Sequence, residues 1–87
     1  MSAASKRHMG RIKSLPCVVC GELGPSDAHH IRTGQGMAQR ADDYLTIPLC
    51  KACHQGPNGL HGDRALWKIY KITELDALAR TIEELTK

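Results

Sequence analysis

Two cysteine pairs of identical spacing, Cys17-Val-Val-Cys20 and Cys50-Lys-Ala-Cys53, bracket the adjacent histidines His29 and His30 and are followed by His54 and His61. Thiolates and imidazoles in this density offer metal binding, disulfide formation or proton transfer near neutral pH. A C-x2-C turn brings two sulfurs to one side of a tight backbone knuckle, where both reach a single ion. Gly21, just after Cys20, permits the left-handed backbone such a knuckle needs. Two knuckles supply four thiolates, the donor set of a closed tetrahedral structural Zn²⁺ site. Disulfides and unpaired buried thiols are the alternatives. The N-terminus, MSAASKRHMGRIKS, has charge but no apolar signal region. A reducing compartment is therefore the expectation, and there metal is favoured over disulfide.

One closed zinc site takes four ligands, so the histidines are surplus to it. An isolated histidine reads most simply as a polar surface residue or a satisfied core residue, and His8 is read so. The other four interleave with the knuckles in the order C-x2-C, H-H, C-x2-C-H, H. A zinc ion joining the knuckles brings His54 towards the segment bearing His29 and His30. A turn at Gly56-Pro57-Asn58-Gly59 then returns His61 to the same neighbourhood. A second, open metal site is the simplest use for them.

The elements that must position these residues are short. Residues 1–14 hold Lys6, Arg7, Arg11 and Lys13 and no acid, and read as a flexible basic arm with a short helical piece at Met9–Ile12. Ala28–Arg32 and Tyr44–Ile47 read as two strands, the second ending at Pro48. The 29 residues between Cys20 and Cys50 exceed a simple double-knuckle ribbon, so this strand pair folds between the knuckles. Beyond Gly62, Leu66, Ile69 and Tyr70 recur at helical spacing beside Trp67, with Asp63 as a cap. Thr73 and Asp76 form a capping box, and Leu75, Leu78, Ala79, Ile82 and Leu85 mark the core face of a last helix. The fold class is a small zinc-stapled α+β domain: a basic arm over 1–14, a core over 15–72 and a C-terminal helix over 73–87.

The whole is 87 residues, without phenylalanine and with one tryptophan and two tyrosines. A chain this short buries a modest share of its surface and commonly needs a staple. Zinc binding, at about 10–16 kcal/mol of apparent energy, makes up for the thin aromatic core. No apolar run approaches the length of a membrane span, and a cytoplasmic setting is expected.

CVVCG, AHHI, LTIPLCKACH and GLHG, in that order, resemble the HNH endonucleases of the ββα-metal (His-Me finger) class. Within that class they are most similar to small phage and prophage nucleases related to the RecA-dependent nuclease Ref. The likeness covers residues 15–72. It implies a β-hairpin followed by a helix. His30, just before Ile31, matches the general base that takes a proton from water beside the scissile phosphate. His29, His54 and His61 match ligands of a catalytic divalent ion, Mg²⁺ or Mn²⁺, with Zn²⁺ or Ni²⁺ also able to occupy the site. The resemblance also implies DNA as substrate and a bacterial or phage-infected cytoplasm. RecA-coated DNA and phage packaging or recombination proteins are partners within its range.

The chain departs from the family in two places. The family's middle Asn has no equivalent in Ala41-Asp42-Asp43-Tyr44-Leu45, and Asp43 is the candidate to orient the base or bind metal in its stead. His54 and His61 are seven apart with a Gly-Pro-Asn-Gly turn between them, so one regular helix cannot hold both. The roles of His29 and His30 are interchangeable on the sequence alone.

The formal charge of +3 falls to about +1 when four thiolates and one Zn²⁺ are counted together. Distribution matters more than the sum. Lys6, Arg7, Arg11, Lys13, Arg32 and Arg40 face only Glu22 and Asp27 in the first 40 residues, so DNA is expected at the arm and hairpin. With no base-reading module visible, phosphate contacts and weak sequence preference follow. The competing readings are a non-catalytic zinc module that binds nucleic acid or protein through a decayed HNH site, and a zinc-dependent redox or chaperone-like protein.

Overall fold

The computed structural model describes residues 2–32, 34–36, 41–55, 67 and 70–87. Helix α1 spans Ala3–Lys13, strand β1 Asp27–His30, strand β2 Thr46–Leu49, helix α2 Lys51–Gln55 and helix α3 Glu74–Leu85. This is a small α+β domain.

The N-terminal segment departs from the expected flexible arm. Ser2 caps α1 by accepting a hydrogen bond from the Ser5 amide at 3.1 Å. Ser5, His8, Met9 and Ile12 turn inward at i, i+3, i+4 and i+7, and Ile12 is fully buried. The helix therefore docks on the hairpin instead of trailing from it. Its last turn carries Arg11 and Lys13, the charge that the carbonyl end of a helix favours. The Arg11 guanidinium reaches the Leu85 carbonyl at 3.4 Å, linking the first helix to the end of the last.

The two strands pair antiparallel, with Asp27 opposite Leu49, Ala28 opposite Pro48, His29 opposite Ile47 and His30 opposite Thr46. Both strands lie slightly off their expected places. β1 starts one residue earlier and ends at His30, although the Ile31 amide still donates to the Leu45 carbonyl at 3.0 Å. β2 runs through Pro48 instead of ending before it. A proline is tolerated on an edge strand because its missing N–H faces away from the ladder. The Pro48 carbonyl accepts from the Val18 amide at 2.9 Å, so the first knuckle hangs on β2. All four residues of β2 are buried.

The core gathers Cys17, Ile31, Ala41, Ile47, Leu49, Cys53 and Ala77, with Trp67, Ile72 and Leu78 packed against it. Two cysteines thus belong to the core itself. Trp67 and Tyr70 have helical backbone. Lys71 follows in the left-handed region at φ 56°, and the Ile72 amide returns to the Trp67 carbonyl at 3.2 Å, the closing bond of a helix C-terminus.

The capping box at Thr73 and Asp76 forms as expected. The buried face of α3 agrees only in part: Leu78 packs on the core and Leu85 is half-buried. Glu74, Ala77 and Thr81 point inward, whereas Leu75 and Ile82 are each about half exposed. The buried side is thus shifted by about one residue from the apolar stripe. Among the described residues, no helix is long and apolar enough to cross a membrane.

Candidate metal centre and histidine site

Cys17, Cys20, Cys50 and Cys53 present sulfurs that all lie within 4.8 Å of one another. Cys20 Sγ and Cys50 Sγ are 3.6 Å apart. Four sulfurs at about 2.3 Å from a tetrahedral Zn²⁺ stand about 3.8 Å from each other, so the cluster fits that ion. Local backbone makes the first knuckle: the Gly21 amide donates to the Cys17 carbonyl and the Cys17 amide to the Glu22 carbonyl, both at 2.9 Å. Gly21 takes φ 79°, the left-handed conformation its sequence position implied. The second knuckle enters α2, where the His54 amide donates to the Cys50 carbonyl at 2.9 Å.

Electrostatics also favour a cation. Burial pushes the Cys20 and Cys53 thiols up, most strongly at Cys53, where the neighbouring sulfurs add to it. At Cys17 burial acts in the same direction, yet backbone hydrogen bonds from Cys20, Cys50 and Val19 bring the thiol below its ordinary value. Four sulfurs this close repel as bare thiolates, and a divalent ion removes that repulsion.

A pleated strand sends successive side chains to opposite faces, so the adjacent histidines of β1 have different neighbours. His29 is buried; its Nε2 lies 3.1 Å from Glu74 Oε2, and its ring meets that of His54 edge-on with centroids 5.1 Å apart. His30 Nε2 lies 2.9 Å from Asp43 Oδ1. His54, carried by α2 just after Cys53, has Nδ1 at 3.1 Å from Asp27 Oδ2. Among the described residues, His29, His30 and His54 therefore each meet a carboxylate.

Asp27 and Glu74 are the residues that sequence reasoning did not assign to the site. The second oxygen of each is held by another donor. Lys51 Nζ donates to Asp27 Oδ1 at 2.9 Å, and the Arg32 amide donates to Glu74 Oε1 at 2.6 Å. The Lys51 hydrogen bond, followed by that of His54, holds the Asp27 carboxyl below its usual range. Asp27 stands two residues before His29, which in a strand means the same face, and that signal was readable. Glu74 is 45 positions from His29, and on the sequence it is only an acid favoured by a helix N-terminus.

Of the residues expected to meet DNA, Lys6, Arg7, Arg11 and Lys13 lie exposed on the outer side of α1, and the Arg32 side chain is also exposed. His61 and Arg40 lie outside the described residues. So do the turn at 56–59 and Asp63, Leu66 and Ile69 of the expected helical stretch. Near α1, the His8 ring packs on Tyr44 with centroids 4.7 Å apart.

Compared with known proteins, the chain matches the model of a family described as protein of unknown function (DUF968), over residues 1–86. No curated protein and no solved structure matches it.

Proposed function

The chain belongs to the DUF968 family, whose description leaves its activity open, and from its own residues we propose that it is a metal-dependent DNA endonuclease of HNH type. The observation that supports this most is the division of the hairpin histidines, His29 with His54 on one side and His30 with Asp43 on the other.

In this reading Asp43 accepts a hydrogen bond from His30 Nε2–H, which leaves Nδ1 as the basic nitrogen of a neutral ring. That nitrogen takes the proton of the attacking water, and Asp43 keeps the ring from turning. In this reading Asp43 takes the orienting role of the Asn found in HNH enzymes. His29 and His54, with His61, hold a divalent ion; His29 and His54 lie close together and both are neutral-capable nitrogen donors. When bound, Mg²⁺ or Mn²⁺ supplies charge stabilisation to the scissile phosphate and the leaving 3′ oxygen. The exposed cations of α1, with Arg32, bind the phosphate backbone without reading bases. The four-cysteine zinc keeps α2, and with it His54, against the hairpin.

Relaxation of supercoiled plasmid in Mg²⁺ or Mn²⁺ tests the reading, wild type against His30→Ala. Nicking by wild type alone supports it. DNA binding with no nicking by either protein supports the second reading, a zinc module with a decayed site, which the absent Asn favours.

A further inference from the structure

Gly10 stands inside α1, with helical residues on both sides. It is exposed, and a β-carbon added there would have nothing within 4 Å. Neither backbone conformation nor packing therefore asks for glycine, which weakens a helix interior relative to alanine. Its place on the helix suggests another use. At about 100° per residue, Gly10 lies about 160° around the axis from the buried Ile12, so it faces away from the hairpin. Lys6 and Lys13 lie about 40° and 60° to one side of it, and Arg7 about 60° to the other. The side chains of Lys6, Arg7 and Lys13 make no ion pair or hydrogen bond among the described residues, and residues 2–14 hold no acid.

We propose that Gly10 is the seat of the DNA backbone on α1, where a phosphodiester strand lies against the helix between Lys6 and Lys13 on one side and Arg7 on the other; this rests on the endonuclease reading above, which supplies DNA as the substrate. Regularly spaced phosphates suit a row of free cations, because each phosphate neutralised releases counterions. A missing side chain between those cations lets the strand come close, and glycine serves where a backbone must approach a ligand. No large apolar side chain of α1 is exposed, so a lipid surface has nothing there to bury. α1 packs on both strands, and the His8 ring, two positions before Gly10, packs on Tyr44 beside Asp43. A strand held at Gly10 is thereby held in register with the hairpin, without any base being read.

Gly10→Leu fills the gap and leaves every charge in place. Its affinity for a short fluorescent DNA duplex, followed by anisotropy without divalent metal, should fall about tenfold, as for one lost charge-assisted contact. Gly10→Ala should show a smaller loss. Both variants should unfold at or above the wild-type temperature, since each gives the helix a better former. A residue of purely structural use would not lower affinity while stability rises. Ala79→Leu, at an exposed position of α3, should leave affinity unchanged. Wild type that binds no duplex overturns the endonuclease reading and this inference together. Wild type that binds, with Gly10→Leu of equal affinity or Ala79→Leu equally weakened, overturns this inference alone. So does a Gly10→Leu variant that loses binding to phosphatidylserine vesicles while its duplex affinity stays intact.

Discussion

His30 Nε2 and Asp43 Oδ1 lie 2.9 Å apart, joining the end of the first strand to the loop before the second. Both side chains are mostly shielded, with 18% and 12% of their surface exposed. If His30 is the base and Asp43 its orienter, the two substitutions should differ in degree. His30→Ala should lower nicking by about 10²–10⁴-fold, the usual contribution of a positioned base. Asp43→Ala should cost about a hundredfold through a misplaced ring. Asp43→Asn, which keeps an accepting oxygen, should recover most of that loss. None should release zinc from the four-cysteine cluster. Equal activity of Asp43→Ala and Asp43→Asn would remove Asp43 from the reaction.

The four-cysteine cluster should be stoichiometric in zinc, since Cys17 and Cys53 are also core residues. Cys17→Ser or Cys50→Ser leaves three thiolates and a poor fourth ligand. Much of an apparent binding energy of about 10–16 kcal/mol is then withdrawn from a small core. Cooperative thermal unfolding should disappear, and chelation should unfold the wild type. A folded, zinc-free variant would sink the assignment.

How far the chain can be read follows from how local each signal is. The first cysteine knuckle is made by hydrogen bonds between residues four and five apart, so spacing alone is enough. The capping box at Thr73 is local in the same way. α1 is hidden in the sequence because its inward stripe, Ser5, His8, Met9 and Ile12, is half polar, and periodicity detects apolar repeats only. The face of α3 departs in part from its apolar stripe because it buries Glu74, whose partners are 42 and 45 residues away. Asp43 is legible only through the resemblance, near the place of the HNH Asn, and its contact with His30 spans 13 residues. The pairing of Glu74 with His29 has no sequence signal at all.

Because α1 buries Ile12 on the hairpin, deleting the first 13 residues would damage the fold and confuse any binding result. Neutralising Lys6, Arg7 and Lys13 to Gln removes three exposed charges and leaves the inward stripe intact. Affinity for duplex DNA should fall at low salt. The slope of log K against log salt should become shallower by up to about 2.7, at about 0.9 for each phosphate no longer neutralised. An unchanged slope would return these residues to ordinary solvated charge.

The cap of α3 should be the acid-sensitive point of the last helix. The Thr73 amide donates to Asp76 Oδ2 at 2.9 Å, and the Asp76 amide to Thr73 Oγ1 at 3.0 Å. The backbone and hydroxyl hydrogen bonds of Thr73 hold the Asp76 carboxyl below its ordinary value. A depressed carboxyl stabilises the folded state fully above its unfolded pKa, about 3.9, and loses that contribution as pH falls through the lower folded value. At neutral pH the cap is therefore complete, and Thr73→Ala should cost about 1 kcal/mol in thermal or urea unfolding. In acid, the amides of Thr73 and Asp76 should lose hydrogen-exchange protection before those in the middle of α3. Asp76→Asn should remove that pH dependence. Glu74 sits between the two capping residues, so the same fraying should free it from His29 and Arg32. Protection that is uniform along α3 across the acid range would show that the cap does not control the helix start.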